Sequence, residues 1–553
     1  MPTATSGPPP WQRWLYLGAT LVLLLPLWTV PRVATVDGPC HLYNAWVMRH
    51  LHDPAYPLFA THFYIDPEPV PNWLIQVLLY VLLAVVPAAA AEKLLLSFYV
   101  LLFSAAAWWF AGCQARERRA NAFLALPFVY NLLFHFGFYN FLFSLPLFLL
   151  AVGWWWRCRE RPTWSWALAL HGLLLACYFA HIVSLVMAGF VIAVLWAATF
   201  ERAGWRRWLR QPLVLLPQLA LPLWFVASRG ASPAASNWTP QEKWQNLSEL
   251  RPLFLSHTGH GPGTALALLF VVMVAATVAG ARREPRDAAA ARPRARHPFL
   301  LTAAVAVLVY LVCPSGMSGG GVLEPRLVLF PFLVLLPDLA PRWRRFPRAG
   351  LTVALSLLVA WESWSLAVWL GRASRGVDEL LAGHSQVRPN SRVLDIVFDV
   401  YASLDRQAGG HAIGYLAGEK GLIDWNDYQA GTGYFPVRFR PGIRIPQHSE
   451  LLPDAYQVRR NGPRVDFVYT RAMPPGSHLR RKLRNLYRLV ASEGEGELWE
   501  RRRRWLAPLR RRGRAAAGSP PSGRPASPGA WRPLPLGSPG SARAARPPET
   551  PPR

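Results

Sequence analysis

The sequence predicts an α-helical polytopic membrane protein with about 11–13 spans, a small C-terminal α/β domain and a disordered basic tail. Three observations carry this prediction. Of 553 residues, 52% are hydrophobic and only 16% are charged, against roughly a quarter charged in an average soluble domain. The apolar residues come in long blocks. The 59 Lys and Arg outnumber the 31 acids, for a net charge of +28, and the excess lies between the blocks and at the chain end. This balance excludes an ordinary soluble enzyme and a wholly disordered chain.

The first block runs from Trp14 to Val30, behind Arg13. No small-residue cleavage site follows it, so it reads as an anchor rather than a cleaved signal peptide. Further blocks lie near 73–90, 94–112, 122–136, 138–156, 164–180, 182–200, 213–228, 264–280, 298–313, 326–340 and 350–370. Each approaches the ~17–25 residues that cross a hydrocarbon core as helix. Five arginine-rich loops, 116–119, 157–161, 201–210, 282–296 and 342–348, together carry +15. Loops 135–140, 229–262 and 314–325 are poor in arginine. The positive-inside rule puts the five on the cytoplasmic side. Everything after Gly371 then lies outside. Loop 33–71 holds Asp37, Asp53, Asp66 and Glu68 against Arg49 and also reads as outside. Two crossings at 73–90 and 94–112 would leave 116–119 outside, against the rule. One early segment is therefore expected to be re-entrant or interfacial.

The expected domains are a transmembrane part at 1–371, an extracytoplasmic α/β domain at 372–500 and a tail at 501–553. In the middle part, 392–400 and 465–470 read as strands, 411–420 as a helix ending at Gly421, 477–485 as a basic helix, and 487–491 with 497–501 as a strand pair. Thirteen arginines and one acid give the tail +12, with Pro, Ser, Gly and Ala around them. Such a composition buries no core. Loops and tail account for nearly all the positive charge. The excess therefore reads as a topology signal, and nucleic acid is not an expected partner. Five scattered cysteines lack metal-ligand spacing, and no HExxH, CxxC, GxSxG or phosphate-cradling glycine loop is present.

Asp37 is the leading catalytic candidate. It lies just after the first block in Thr35-Val-Asp-Gly-Pro-Cys-His-Leu-Tyr-Asn44. A partly desolvated carboxylate at the membrane surface can accept a proton from an attacking hydroxyl. Asp-Gly-Pro is equally a turn and helix cap. His41 falls four residues on, beside Asp37 if 39–51 is helical. The second group is Glu324-Pro-Arg326 at the mouth of the 326–340 block. Arg suits bidentate capture of phosphate, and a snorkelling interface Arg beside a Glu reads the same way. His181 and Asn140 sit at outer block ends. Asp37, Asp66 and Glu68 are candidates for a divalent cation, although no spacing demands one.

The inside start, single span and Asp-led outer loop resemble the GT-C glycosyltransferases, which include protein mannosyltransferases and aminoarabinose transferases of lipid A. The family's first-loop acid matches Asp37, here alone where many members have a pair. Glu324-Pro-Arg326-Leu-Val-Leu-Phe-Pro331 looks like the family's Arg-Tyr-Leu-x-x-Pro segment, with Leu327 in place of Tyr. The resemblance implies inverting sugar transfer from a polyprenyl-phosphate donor to a glycan, lipid or protein acceptor at the outer face of a bacterial inner membrane. Asp37 would orient or deprotonate the acceptor, and Arg326 would hold the lipid phosphate. His41, Glu324, His181 and Asn140 would contact substrate, and no cofactor is assigned. Two rivals remain open. One is a transporter or flippase of lipid-linked glycans. The other is a non-catalytic scaffold whose 372–500 domain offers His411, Asp424, Trp425, Asp427 and Tyr428 as surface contacts.

Overall fold

A computed structural model describes residues 7–502, apart from 161–162, 201–203, 230–237, 255–260, 283–296, 315–321, 341–344, 399, 401–402 and 447–451. Most of the 282–296 loop, the glycine run at 319–321 and the tail from 503 onward lie outside the described residues. Among those described, five helical stretches are long and apolar enough to cross a membrane: Ala88–Ala111, Tyr139–Cys158, Trp208–Ser228, Gly261–Gly280 and Arg348–Gln386. Three shorter apolar helices accompany them, Trp164–Ala180, Ile182–Ala198 and Pro298–Val312.

The helices that build the site are α1 (Pro10–Val22), α2 (Gly38–His50), α3 (Leu74–Leu82), α4 (Ala88–Ala111), α5 (Tyr139–Cys158), α6 (Trp164–Ala180), α7 (Ile182–Ala198) and α8 (Pro240–Ser248). After them come α9 (Pro298–Val312), α10 (Leu323–Leu327), α11 (Leu329–Leu335) and α12 (Arg345–Leu380). Two expected blocks take other forms. Block 73–90 stops at Leu82, because Pro87 disfavours helix at the residue before it and opens α4 instead. At nine residues α3 is about 13 Å long. Block 122–136 runs as 3-10 turns, Arg116–Leu124 and Leu126–Phe128, followed by the four-residue helix Leu132–His135. Asn131 caps that helix by accepting from the Leu133 and Phe134 amides. Irregular backbone is tolerated at membrane depth only where protein buries it, and 122–131 is buried throughout. The Tyr99 hydroxyl of α4 donates to the Val129 carbonyl at 3.0 Å.

The C-terminal α/β unit follows α12. Its five-stranded sheet uses β2 (Arg392–Val397), β3 (Ile423–Asp424), β5 (Phe467–Arg471), β6 (Tyr487–Glu493) and β7 (Gly496–Arg501), in the order β3-β2-β5-β7-β6. The first three strands are parallel, while β7 runs antiparallel to β5 and β6. Strands β2, β5, β6 and β7 match those expected at 392–400, 465–470, 487–491 and 497–501, and β3 is an addition to them. Arg501 ends β7 and pairs with Asp466 at 2.6 Å, so the sheet reaches one residue into the expected tail. Helices α13 (Gly414–Lys420) and α14 (Tyr428–Gly431) flank β3. Gly421, at φ +63°, closes α13 in the left-handed conformation that favours glycine.

The unit is stitched to the first loop. Strand β1 (Phe63–Ile65) pairs antiparallel with β4 (Val437–Phe439). Arg438 binds Asp66 at 2.7 Å and Glu68 at 3.4 Å. The Tyr43 hydroxyl donates to the Leu422 carbonyl at 2.7 Å, and α13 packs on α2 with Gly418 against Trp46.

Candidate active site

Asp37 occupies the N-cap position of α2, yet its side chain caps nothing. A closely packed turn fixes its backbone. The Val36 and Asp37 amides donate to the His135 and Phe136 carbonyls, both at 3.0 Å. Gly137, at φ +72°, lies against them; a Cβ there would come within 2.4 Å of the Gly38 nitrogen. A Cβ on Gly38 would meet the Thr35 and Tyr139 hydroxyls at 2.3 Å. Both glycines therefore let two turns touch beside Asp37. It is 7% exposed. The Tyr428 hydroxyl donates to Asp37 Oδ2 at 2.7 Å. His411 Nε2 lies 3.7 Å from Oδ1, and the His411 and Tyr428 rings are 5.3 Å apart.

Arg326 approaches from α10. Its guanidinium lies 4.7 Å above the Phe138 ring and 5.8 Å from the Phe141 ring, an arrangement that holds a cation by its aromatic faces. Asp37 and Tyr428 act electrostatically on Arg326, and Arg326 acts on His181. His181 accepts from the Val183 amide at the start of α7 and packs edge-on against Phe141 at 5.3 Å. The fold thus brings Asp37, Arg326 and His181 into one neighbourhood from α2, α10 and the α6–α7 junction.

The other expected site residues have structural partners. His41 Nδ1 lies 3.0 Å from Gln76 Nε2 and 3.3 Å from Gln429 Nε2. Two amide donors make that nitrogen the acceptor and leave the Nε2 proton for the Gly137 backbone. Burial pushes His41 down to about 3, so the ring stays neutral. Asn140 accepts from the Ile75 amide at 3.2 Å and donates to Gln76 at 3.4 Å. Glu324 is buried in an ion pair with Lys243 of α8 at 3.2 Å. Lys243 also donates to the Leu311 and Cys313 carbonyls at the end of α9. Asp66 and Glu68, named with Asp37 as cation candidates, are taken up by Arg438. Among the described residues no His, Cys, Asp and Glu cluster is suited to hold a metal ion.

The surface expected at 411–428 is instead interior. His411, Asp424, Trp425 and Asp427 are all buried, because α13 and α14 close onto α2. Asn44 of α2 donates to Asp427 Oδ1 at 3.0 Å and to Gln429 Oε1 at 3.3 Å. Tyr428, His411, Gln429 and Gln76 are the site neighbours that the sequence reading did not bring to Asp37. The available signal was the crowding of Asp, Asn, Tyr and Gln over 424–429, between apolar flanks.

Asp427 supplies a pH test. Burial pushes its carboxyl up to about 7, against an ordinary 3.8, with Asn44 opposing the shift. Asp424 is also pushed well up, by burial first and then by Asp395 and Asp427. An acid with a raised folded-state value binds its proton more tightly when folded. Its contribution to stability is full below about 3.8 and is lost as pH rises through 7. Asp427→Asn should narrow the fall in melting midpoint between pH 5 and pH 8. An unchanged fall would show that Asp427 does not titrate in this range.

No family model and no curated protein matches this sequence. Two solved structures of the arabinofuranosyltransferase AftD from Mycobacteria, one of a mutant form, are similar to the chain at 15% and 16% identity, with TM-scores of 0.44 and 0.46. Each covers 90% of this chain, which spans only 40% and 42% of their length.

Proposed function

We propose that the protein is an integral-membrane glycosyltransferase of the GT-C type. It would move a sugar from a polyprenyl-phosphate donor to a glycan, lipid or protein acceptor at the outer face of a bacterial cell membrane. The observation that supports this reading is a buried carboxylate, Asp37, with Arg326 in electrostatic reach, in a chain whose helices are long and apolar enough to cross a membrane. The acceptor oxygen attacks the anomeric carbon as the carbon–oxygen bond to the lipid phosphate breaks. Asp37 takes the hydroxyl proton, and Arg326 holds the departing phosphate dianion. Attack opposite the leaving group inverts the anomeric centre. The 372–500 part lies on the same outer side and walls the site.

The test is transfer by the purified protein in lipid vesicles, with synthetic polyprenyl-phosphoryl pentoses and hexoses as donors. A covalent glycan product of inverted configuration is expected. Movement of the lipid-linked sugar across the bilayer with no product would favour a flippase. Arg326→Ala should raise the donor KM by about 10–100-fold, the worth of a charge-assisted contact. Its melting midpoint should stay near that of the wild type. Equal donor affinity would remove Arg326 from this role.

A further inference from the structure

The carboxylate that would activate the acceptor is not held by the membrane part alone. Two partners placed on it, Tyr428 at 2.7 Å from Oδ2 and His411 Nε2 at 3.7 Å from Oδ1, come from the C-terminal unit. They stand nearly four hundred residues away in the chain. Both sit on segments anchored to α2, the helix that Asp37 begins. A Cβ on Gly414 would come within 2.5 Å of the Pro39 carbonyl oxygen, and Asn44 binds Asp427 and Gln429 on either side of Tyr428. Gln429 in turn donates to the Tyr428 hydroxyl at 3.5 Å.

We infer that Tyr428 and His411 are positioning residues for the Asp37 carboxylate, so that the reaction centre is a composite completed by the C-terminal unit. This rests on the transferase reading. A carboxylate has about four lone-pair directions. Tyr428 donates into one on Oδ2, and His411 Nε2 stands 3.7 Å from Oδ1. The carboxylate plane is thereby set. During transfer the acceptor proton moves to Asp37, and neither Tyr428 nor His411 need exchange one. Their effect is to keep the accepting lone pair in line with the hydroxyl, which a side chain free to rotate would not do.

The experiment uses the full-length protein in vesicles, with kcat and donor KM measured for Tyr428→Phe and His411→Gln, each in the wild-type and the Asp37→Asn background. Each single substitution should lower kcat by about 10–100-fold, as lost positioning does, and leave donor KM within about twofold because Arg326 is untouched. In the Asp37→Asn background neither should lower the residual rate further, because a residue acting through Asp37 has nothing left to act on. Equal fractional losses in both backgrounds, or an unchanged kcat, would overturn the inference and leave the transferase reading standing. A wild type that transfers no sugar from any polyprenyl-phosphate donor would overturn both. If Tyr428→Phe fails to fold, His411→Gln carries the same comparison through the other oxygen.

Discussion

Replacing Asp37 with Asn is expected to lower sugar transfer by about 10²–10⁴-fold, the usual worth of a general base. The substitution keeps the size of the side chain and an oxygen that can still accept from Tyr428, which donates at 2.7 Å in the wild type. The backbone bonds that hold the turn, from the Asp37 amide to Phe136 and from the Val36 amide to His135, do not involve the side chain. No helix cap is lost either, because the carboxyl makes none. The fold should therefore survive while the proton acceptor is gone. Turnover of the purified variant, set beside its melting midpoint, is the measurement. Wild-type turnover in a folded variant would take Asp37 out of the mechanism.

The second large effect concerns stability. Lys243→Met is expected to cost about 3–5 kcal/mol, because it removes the Lys243 cation from beside a buried carboxylate. Glu324 is 1% exposed and Lys243 4% exposed, so little water can replace the lost partner. The lysine also ties α8 to the Leu311 and Cys313 carbonyls at the end of α9. A double variant, Lys243→Met with Glu324→Met, should recover most of the loss, since an apolar pair of similar volume removes both desolvation costs. Melting midpoints in detergent compare the three. A single variant as stable as the wild type would show that the pair contributes little. Arg326 stands two residues beyond Glu324 on the same short helix, so the single variant should also weaken donor binding.

Local chemistry was readable in the sequence, and long-range contacts were not. The apolar blocks, the sheet strands after Pro389 and the helix stop at Gly421 all follow from nearby residues, and they reappear as α4, α5, β2 and α13. Asp37 and Arg326 stood out because a charge beside an apolar block needs a reason. Their convergence, by contrast, depends on how α2, α5 and α10 pack, which no local pattern encodes. Strand β1 is three residues long and pairs with β4 from far along the chain, too short to show a period. The 411–428 segment looked like surface because it is polar. Polar residues that bond to Asn44, Tyr43 and Gln76 can be interior, and only docking onto α2 and α3 brings those partners to them. Glu324 was visible as a charge at a block end, but Lys243 was not visible as its mate.

The brevity of α3 bears on the parity of the chain. Nine residues reach less than half of the ~30 Å hydrocarbon thickness, so α3 alone is too short to cross. With Asp37 on the outer face as proposed, a chain that leaves α3 on the face where it entered would cross next at α4. The helix ends beside 116–119, 157–161 and 201–210 would then share the opposite face, as the positive-inside rule requires. Nine residues and one proline would thus decide which compartment each later segment meets.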